Sequence, residues 1–256
     1  MVYEKNMSAS ILITARLKST RLKEKVLKDI YGRPMLWHMI NRLRLAKIPE
    51  KIIICTSTDK QDDRLCELAK NEGIDFFRGH PDDVLLRMRD AAAHFNVDTI
   101  VSCTADNPFV DPIYIDKVLS YHLEKNSDFS AINGLPFGVF SYVLNQNAVE
   151  RACKIKNQIN TEVWGGYFTQ TGIFNCNTLN VSDPSVRWPE LRLTVDTQED
   201  FDLINKIFYF LYKKGEVFTL KEVVALCRDN PGLVDINSHI KQAEPIPIKL
   251  NDNYGR

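Results

Sequence analysis

Short apolar runs alternate with segments of helical periodicity at the start of this chain. Residues 10–15 (SILITA) and 51–56 (KIIICT) are predicted strands, because each is an almost continuous apolar run. Residues 35–46 between them carry apolar side chains every three or four positions, which predicts a helix. A strand, a helix and a second strand in this order form the unit from which parallel sheets are built.

The alternation continues as far as residue 104. The pattern predicts a helix over residues 62–71 that Gly73 ends, a short strand over 75–77, a helix over 82–95 and a buried strand over 99–104. Strands that are apolar throughout are buried on both faces, so we expect an α/β fold with a mostly parallel sheet between helices. In such sheets ligands bind beyond the carboxyl ends of the strands, and the residues there are the candidates for a functional site.

The length and composition favour a single folded domain. The chain has 256 residues and no low-complexity linker. No apolar run approaches the roughly 18 residues of a membrane span, and residues 1–10 (MVYEKNMSAS) lack the apolar part of a signal peptide, so we expect a cytoplasmic protein without a membrane partner. None of the six cysteines forms a C-x-x-C pair, and we interpret them as small buried residues rather than disulfides or metal ligands.

The charge is balanced overall but unevenly distributed. The 33 basic and 33 acidic residues give no net charge, which argues against nucleic acid as a partner. Residues 1–60, however, hold 13 Lys and Arg against 5 Asp and Glu, and seven of these cations lie between Arg16 and Arg33. A site for an anionic ligand is therefore expected in this segment.

The loop after the first predicted strand has the composition of a polyphosphate site. Residues 15–27 (ARLKSTRLKEKVL) offer guanidinium forks, ammonium groups, two hydroxyls and free backbone N–H groups, all of which bind phosphate oxygens. A triphosphate would suit this loop, and a solvated basic surface loop is the alternative. It is neither a P-loop nor a dinucleotide-binding loop, because the chain lacks G-x-x-x-x-G-K-[ST] and G-x-G-x-x-G.

Two carboxylates at other strand ends are candidate Mg²⁺ ligands. Asp106 follows the strand over residues 99–104, and Asp196 ends the run LRLTVD at residues 191–196, which we predict to be a strand. Mg²⁺ uses one or two protein carboxylates and completes its octahedron with phosphate oxygens and water. The alternative for Asp106 is an ordinary Asn-Pro turn. The alternative for Asp196 is a helix N-cap, and the spacing does not decide between this role and metal binding.

The sequence resembles the cytidylyltransferases that make CMP-activated acidic sugars, through several motifs in the same order. They are ARLKSTRLKEK at residues 15–25, GRPM at 32–35, FRGHPDDVL at 77–85, TADNP at 104–108, LTVDTQED at 193–200 and DNPGLVDIN at 229–237. The combination is most similar to the SpsF-like branch, which is named from spore-coat polysaccharide biosynthesis and is related to CMP-Kdo and CMP-sialate synthetases.

The resemblance implies a Rossmann-like three-layer α/β/α nucleotidyltransferase fold, with one domain over residues 10–240 and a C-terminal tail over 241–256. It implies transfer of CMP from CTP to an acidic sugar of the 3-deoxy-ulosonic or nonulosonic type, with release of pyrophosphate, for surface polysaccharide or glycoconjugate biosynthesis. The expected partners are CTP, the sugar acceptor and a second copy in a homodimer. The alternatives are a nucleotidyltransferase of the same fold that uses GTP or UTP with a sugar phosphate, and a catalytically silent nucleotide-binding protein.

The resemblance also implies roles for individual residues. The catalytic residues would be Arg16, Arg21, Lys25 and Asp106, and the Mg²⁺ ligands would be Asp106 and Asp196. The nucleotide-binding residues would be Ala15, Arg16, Ser19, Thr20, Arg21, Lys25, Ser57, Thr58, Arg78 and Thr104. In the family, the acceptor region at about residues 130–190 shapes the acceptor pocket and a dimer contact. This sequence departs from the family there at residues 135–141 (LPFGVFS) and 161–167 (TEVWGGY), and the aromatic residues of the region fit either a subunit interface or a platform for the sugar.

Overall fold

The computed structural model describes residues 8–19, 21–242 and 247–251. Its strands are β1 (Ala9–Thr14), β2 (Asp29–Ile30), β3 (Arg33–Pro34), β4 (Lys51–Ser57), β5 (Asp75–Gly79), β6 (Thr99–Thr104), β7 (Phe129–Asn133), β8 (Tyr142–Asn145) and β9 (Cys176–Asn180). Its α-helices are α1 (Met35–Leu43), α2 (Asp63–Asn71), α3 (Val84–Phe95), α4 (Pro112–Glu124), α5 (Gln146–Ile155), α6 (Gly166–Thr169), α7 (Gln198–Leu211), α8 (Leu220–Asp229) and α9 (Pro231–Val234).

Seven strands form the main sheet in the spatial order β5-β4-β1-β6-β8-β7-β9. The strands β5, β4, β1 and β6 are parallel, β8 is antiparallel to both of its neighbours, and β7 is parallel to β9. The mostly parallel sheet predicted from the apolar runs is therefore confirmed. The carboxyl ends of β1, β4, β5 and β6 lie along one edge of the sheet, where a ligand site is expected.

Helices cover both faces of this sheet and form a core on each. Along β1, Ile11 and Ile13 pack with α1, α2, α4, α7 and α8, whereas Leu12 packs with α3, α5 and α6. The alternation follows from the two-residue period of a strand, and it explains why β1 has three consecutive large apolar residues at positions 11–13. Burying each such side chain contributes about 1.5–3 kcal/mol. The three-layer α/β/α fold is confirmed.

The strand predicted over residues 191–196 is wrong. The segment makes one isolated parallel bridge, between Arg192 and Phe137, instead of a continuous ladder. The partner segment does not continue the ladder, because Gly138 turns its backbone to a φ of 96° and Val139 N, the next donor in this register, bonds to Pro136 O at 3.3 Å. An irregular segment, held by a few specific contacts, therefore carries Asp196.

Gly138 permits close contact with this segment, and a methyl group there should be costly. A Cβ on Gly138 would lie 2.5 Å from Thr194 N and 2.8 Å from Thr194 Cα. Gly172 also has a positive φ, of 72°, but has no atom within 4 Å of a Cβ. We expect Gly138→Ala to lower the free energy of unfolding by about 1–3 kcal/mol more than Gly172→Ala does, because only the former overpacks its surroundings. Urea unfolding of both variants checks this, and equal losses would contradict the close contact.

Burial of the cysteines agrees with the prediction at four of the six positions. Cys55, Cys66, Cys103 and Cys227 are buried, Cys153 is half-buried, and Cys176 is exposed on the edge strand β9. No helix in the described part of the chain is both long enough and apolar enough to cross a membrane.

The aromatic residues at the end of the acceptor region belong to the core. Trp164 is 5% exposed, and Tyr167 and Phe168 are fully buried, so neither expected role, subunit interface or sugar platform, fits these three side chains. A Cβ on Gly166 would lie 2.8 Å from Ile248 Cγ2. The close approach at this glycine is thus made by residues 247–251, part of the predicted tail, and not by a ligand.

Candidate active site

The basic loop after β1 is anchored across the carboxyl edge of the sheet. Ala15 N donates a 3.2 Å hydrogen bond to a carbonyl of β4, and Leu17 N donates to the fully buried Asp62 carboxylate at 2.8 Å. Leu22 and Val26 are buried further along the loop. These contacts fix the backbone, and they leave the cationic side chains to line the edge.

Lys25 brings together the two carboxylates that the sequence singles out. Its Nζ donates to Asp106 Oδ2 at 3.0 Å and to Asp196 Oδ1 at 2.8 Å. The side chains of Lys25 and Asp196 are 14% and 11% exposed, and that of Asp106 is 28% exposed. Two carboxylates thus face one cation at the sheet edge, although they lie on segments far apart in the sequence.

A buried ion network holds Asp196 in place. Arg192 Nη2 donates to Asp196 Oδ2 at 3.0 Å, and Arg192 also binds both oxygens of Asp200, at 2.9 and 3.0 Å. Asp200 is fully buried and accepts a 2.8 Å bond from Asn237, a residue of the DNPGLVDIN motif. Three residues of this network, Arg192, Asp200 and Asn237, were missed in the sequence analysis. The signal for Arg192 was its place as an arginine among the leucines and the valine of LRLTVD.

The helix α7 does not use Asp196 as its cap. Thr197 is the N-cap residue, and it forms a capping box with Asp200. Because Asp200 also accepts from Asp196 N at 2.9 Å, the start of the helix fixes the backbone of Asp196 and leaves its carboxylate for Lys25 and Arg192. The N-cap alternative for Asp196 is therefore wrong. The loop of Asp106 is joined to the same segment, since Val195 N donates to Asp106 O at 2.9 Å.

The electrostatics of the network keep its members charged at neutral pH. Burial acts to raise the pKa of Asp196, but Lys25, Arg21 and Arg192 outweigh it and lower that pKa below its ordinary value of 3.8. The pKa of Asp200 is lowered in the same way, because the bonds from Arg192 outweigh burial. Burial acts to lower the pKa of Lys25, and the two neighbouring carboxylates raise it above 10.5.

These shifts predict how stability depends on pH. A carboxyl group whose pKa is lower in the folded chain stabilises the fold above its unfolded pKa, and this contribution is lost as the pH falls through the folded pKa. Asp196 and Asp200 therefore stabilise the protein fully above 3.8 and progressively less below it. We expect the free energy of unfolding of the wild type to fall more steeply below that pH than that of Asp200→Asn, measured in urea. Parallel curves would contradict the assignment.

The two arginines of the loop, Arg21 and Arg16, lie in different places. Arg21 is half-exposed, and its Nη2 lies 3.3 Å from Asp196 Oδ1, beside Lys25. Arg16 lies elsewhere, because its guanidinium donates to the carbonyl of Pro81, to Asp82 at 2.8 Å and to Glu162. Ser19 N donates to Leu17 O at 2.9 Å within the loop, and Thr20 lies outside the described residues.

Three of the residues expected to bind the nucleotide, at the ends of β4 and β5, are engaged with protein groups. Ser57 is fully buried, and its hydroxyl donates to Asp62 at 2.5 Å and accepts from Asp59 N. Arg78 donates to the carbonyls of Ser57 and Asp59 at 3.0 and 2.9 Å, while exposed Thr58 donates its N–H to a carbonyl at the end of β5. These bonds join the ends of β4 and β5, and contact of these residues with a nucleotide stays a prediction.

Thr104 differs from them because its hydroxyl donates to no acceptor among the described residues. Its Oγ1 accepts a 2.8 Å hydrogen bond from Asn107 Nδ2. A hydroxyl that accepts at one lone pair keeps its own proton to donate. Thr104 therefore offers a donor at the carboxyl end of β6, close in sequence to Asp106.

The donor set of the edge fits Mg²⁺ that is shared with a phosphate ligand. Asp106 and Asp196 are oxygen ligands on either side of one cation, which suits an ion that takes one or two protein carboxylates. Within the described residues, no group of three or more His, Cys, Asp or Glu side chains is arranged to hold a metal. The remaining ligands of Mg²⁺ would therefore be phosphate oxygens and water.

Comparison with known proteins identifies the family. Residues 10–218 match the cytidylyltransferase family. This chain belongs to that family. It is therefore an enzyme of the nucleotidyltransferase class, and the resemblance found in its motifs is confirmed.

Individual cytidylyltransferase relatives agree in extent and in fold. The spore coat polysaccharide biosynthesis protein SpsF of Bacillus subtilis is 29% identical over 227 residues, which cover 86% of this chain and 94% of that protein. A cytidylyltransferase structure from Leptospira borgpetersenii has a TM-score of 0.82 at 24% identity and covers 93% of this chain and 100% of its own. The structure of CMP:2-keto-3-deoxy-manno-octonic acid synthetase in complex with CTP has a TM-score of 0.65 at 16% identity. It covers 79% of this chain and 99% of its own. The two structures confirm the nucleotidyltransferase fold.

Proposed function

We propose that this cytidylyltransferase transfers CMP from CTP to an acidic sugar of the 3-deoxy-ulosonic or nonulosonic type and releases pyrophosphate. The observation that carries the proposal is the placement of Lys25 between Asp106 and Asp196, with Arg21 beside them. Family membership supports the nucleotide. The likeness to a CMP:2-keto-3-deoxy-manno-octonic acid synthetase that binds CTP and to a spore coat polysaccharide protein supports the acidic sugar and the use of the product in surface polysaccharide.

The reaction requires little beyond positioning and neutralisation of charge. A hydroxyl of the acceptor attacks the α-phosphorus of CTP in line and gives up its proton to water, the bond to the bridging oxygen breaks, and pyrophosphate leaves with the electron pair. Lys25 uses two of its three N–H donors on carboxylates, so one is left for a phosphate oxygen. Arg21 is half-exposed and offers a planar fork to the same phosphates. Mg²⁺ held by Asp106 and Asp196 would neutralise developing charge on the phosphates.

The proposal includes further expectations from the sequence. Thr104 has a hydroxyl donor for the base or ribose, because Asn107 occupies its acceptor side. We retain one nucleotidyltransferase domain over residues 10–240, a homodimer and a cytoplasmic location as parts of this proposal. The rival candidates remain a GTP or UTP enzyme that uses a sugar phosphate and a catalytically silent nucleotide-binding protein.

Arg21→Ala tests the phosphate site without disturbing the core. Because Arg21 is half-exposed and its contact with Asp196 is a 3.3 Å ion pair, we expect the melting temperature of the free protein to stay nearly unchanged. CTP binding in the presence of Mg²⁺ should weaken by about 1–3 kcal/mol, the range for a charge-assisted hydrogen bond. Calorimetry and thermal unfolding on the same sample measure both. A lower melting temperature with unchanged CTP affinity would instead assign Arg21 a structural role.

Pyrophosphate release tests the reaction itself. The purified protein is incubated with Mg²⁺ and each of the four nucleoside triphosphates, with and without a panel of 3-deoxy-ulosonic and nonulosonic acids. We expect release that requires both CTP and one of the acids. Release with GTP or UTP and a sugar phosphate would support the first rival, and no release with any pair would support the second.

A further inference from the structure

Arg16 is held by acceptors from two distant parts of the chain. Its Nη1 donates to the Pro81 carbonyl and to Asp82 Oδ1 at 2.8 Å, and its Nη2 donates to Glu162 Oε1. The Arg16 side chain is 11% exposed, whereas those of Asp82 and Glu162 are 42% and 55% exposed. The Arg16–Glu162 pair therefore joins the basic loop to residues 156–165, which lie between α5 and α6.

The backbone on which Glu162 stands is firmly fixed. The neighbouring Thr161 is fully buried, its N donates to Asp82 O at 3.2 Å, and its hydroxyl donates to Asp83 Oδ1 at 2.8 Å. Lys156 forms an ion pair with the same Asp83, which caps the N-terminus of α3. The core therefore holds Thr161, while the carboxylate of Glu162 reaches Arg16 from an exposed position and can leave it without disturbing buried contacts.

A second guanidinium explains why Arg16 needs anionic partners. Arg87 is 1% exposed and donates from Nη1 to His80 O at 2.8 Å and to Pro81 O at 3.2 Å, so Arg16 and Arg87 share the carbonyl of Pro81. Arg87 forms no ion pair among the described residues, and its buried Nε has no hydrogen-bond partner there. Two like charges therefore meet at one carbonyl, and Asp82 and Glu162 provide the negative charge that offsets them.

We propose that Glu162 is a positioning residue that competes with the phosphates of CTP for Arg16. The proposal rests on the proposed function, in which Arg16 belongs to the triphosphate site. A triphosphate carries more negative charge than one carboxylate and satisfies the same N–H donors, so it displaces Glu162 from the guanidinium. Because the core holds Thr161, only the carboxylate of Glu162 has to move, and breaking its ion pair with Arg16 reduces the affinity for CTP.

Glu162→Gln tests the competition by the sign of its effect. Removing the competing charge should tighten CTP binding in the presence of Mg²⁺ by about three- to tenfold, measured by calorimetry. Inorganic tripolyphosphate, which has no base or ribose, should show the same gain, because the competition concerns phosphate alone. Glu67→Gln, an exposed glutamate on α2, is the matched control and should leave both affinities unchanged. A merely structural role for Glu162 would lower the melting temperature and weaken binding instead.

A double-mutant cycle separates the inference from simpler explanations. In an Arg16→Ala background, Glu162→Gln should change CTP affinity by less than about twofold, because the group that the two anions share is gone.

The outcomes also distinguish the inference from the proposed function. If the wild type binds CTP but Glu162→Gln binds it with unchanged or lower affinity, the role of Glu162 is overturned and the proposed function stands. If the wild type binds neither CTP nor tripolyphosphate, both are overturned together.

Discussion

Asp106→Asn is expected to lower kcat for pyrophosphate release by about 100-fold or more. Asp106 is one of the two carboxylates around the Lys25 ammonium, and an amide cannot replace its charge toward Mg²⁺ or Lys25. A loss of this size is typical when a principal electrostatic contribution to phosphoryl-type chemistry is removed. The assay is acceptor-dependent pyrophosphate release from CTP at saturating Mg²⁺.

The control for this variant is an aspartate outside the site. Asp235 is exposed after α9, and Asp235→Asn should leave the rate unchanged. Because the Asp106 side chain is 28% exposed and Lys25 keeps its bond to Asp196, the melting temperature of Asp106→Asn should stay close to that of the wild type. Activity within a few-fold of the wild type would refute the role of Asp106 as a metal-binding catalytic residue.

Arg192→Met is expected to lower the free energy of unfolding by about 3–5 kcal/mol, the range for removing one partner of a buried ion pair. Arg192 is the partner that binds both oxygens of Asp200, which is fully buried, and it also binds Asp196. Without the guanidinium, Asp200 loses its ion-pair partner, and Asp196 loses the cation at its Oδ2. The same variant should weaken Mg²⁺-dependent CTP binding, because Asp196 loses the contact that orients it.

Arg228→Met provides the comparison for Arg192→Met. Arg228 is exposed on α8 and donates to the carbonyls of Pro184 and Arg187, so it neutralises no buried carboxylate. Its loss should change the free energy of unfolding by less than about 1 kcal/mol. Equal destabilisation by the two variants in urea would mean that the Arg192 network does not stabilise the fold as the structure indicates.

The first half of the fold could be predicted from sequence because its signals are strong and local. The strands β1, β4 and β6 each contain consecutive apolar residues, and their burial on both faces is the physical reason. The helix predicted over residues 82–95 begins at Val84, after the cap residue Asp83. Boundaries shifted by a few residues, but the type of each element was right.

In the second half of the chain, tertiary contacts override the structure that the local sequence pattern predicts. Residues 191–196 alternate apolar and polar side chains as a strand does, yet they form a single bridge, because Gly138 turns the segment beside them away from the ladder. The conformation of a partner segment is not encoded in the run itself. Trp164 is an example of the same limit, since its aromatic character fits a surface platform and a core equally well until its 5% exposure is known.

For the candidate site, the types of residue were predictable and their partners were not. Strand ends identified Asp106 and Asp196 as carboxylates that could meet, and the structure places both on Lys25. Arg16 was assigned to the same phosphate site by motif, whereas in the free protein it binds Asp82 and Glu162. No spacing rule connects Arg16 with a residue so far along the chain, and only the packing of residues 156–165 against α3 makes that pair.

Calorimetric titration of the wild type with CTP, UTP, GTP and ATP, each with and without Mg²⁺, tests most directly whether the sheet edge is a CTP and magnesium site. We expect CTP to bind in a Mg²⁺-dependent manner and at least about tenfold more tightly than the other three, a difference of about 1.4 kcal/mol. Equal binding of all four, a preference for another nucleotide, or CTP binding that is indifferent to Mg²⁺ would contradict the assignment of this sheet edge as a CTP and magnesium site.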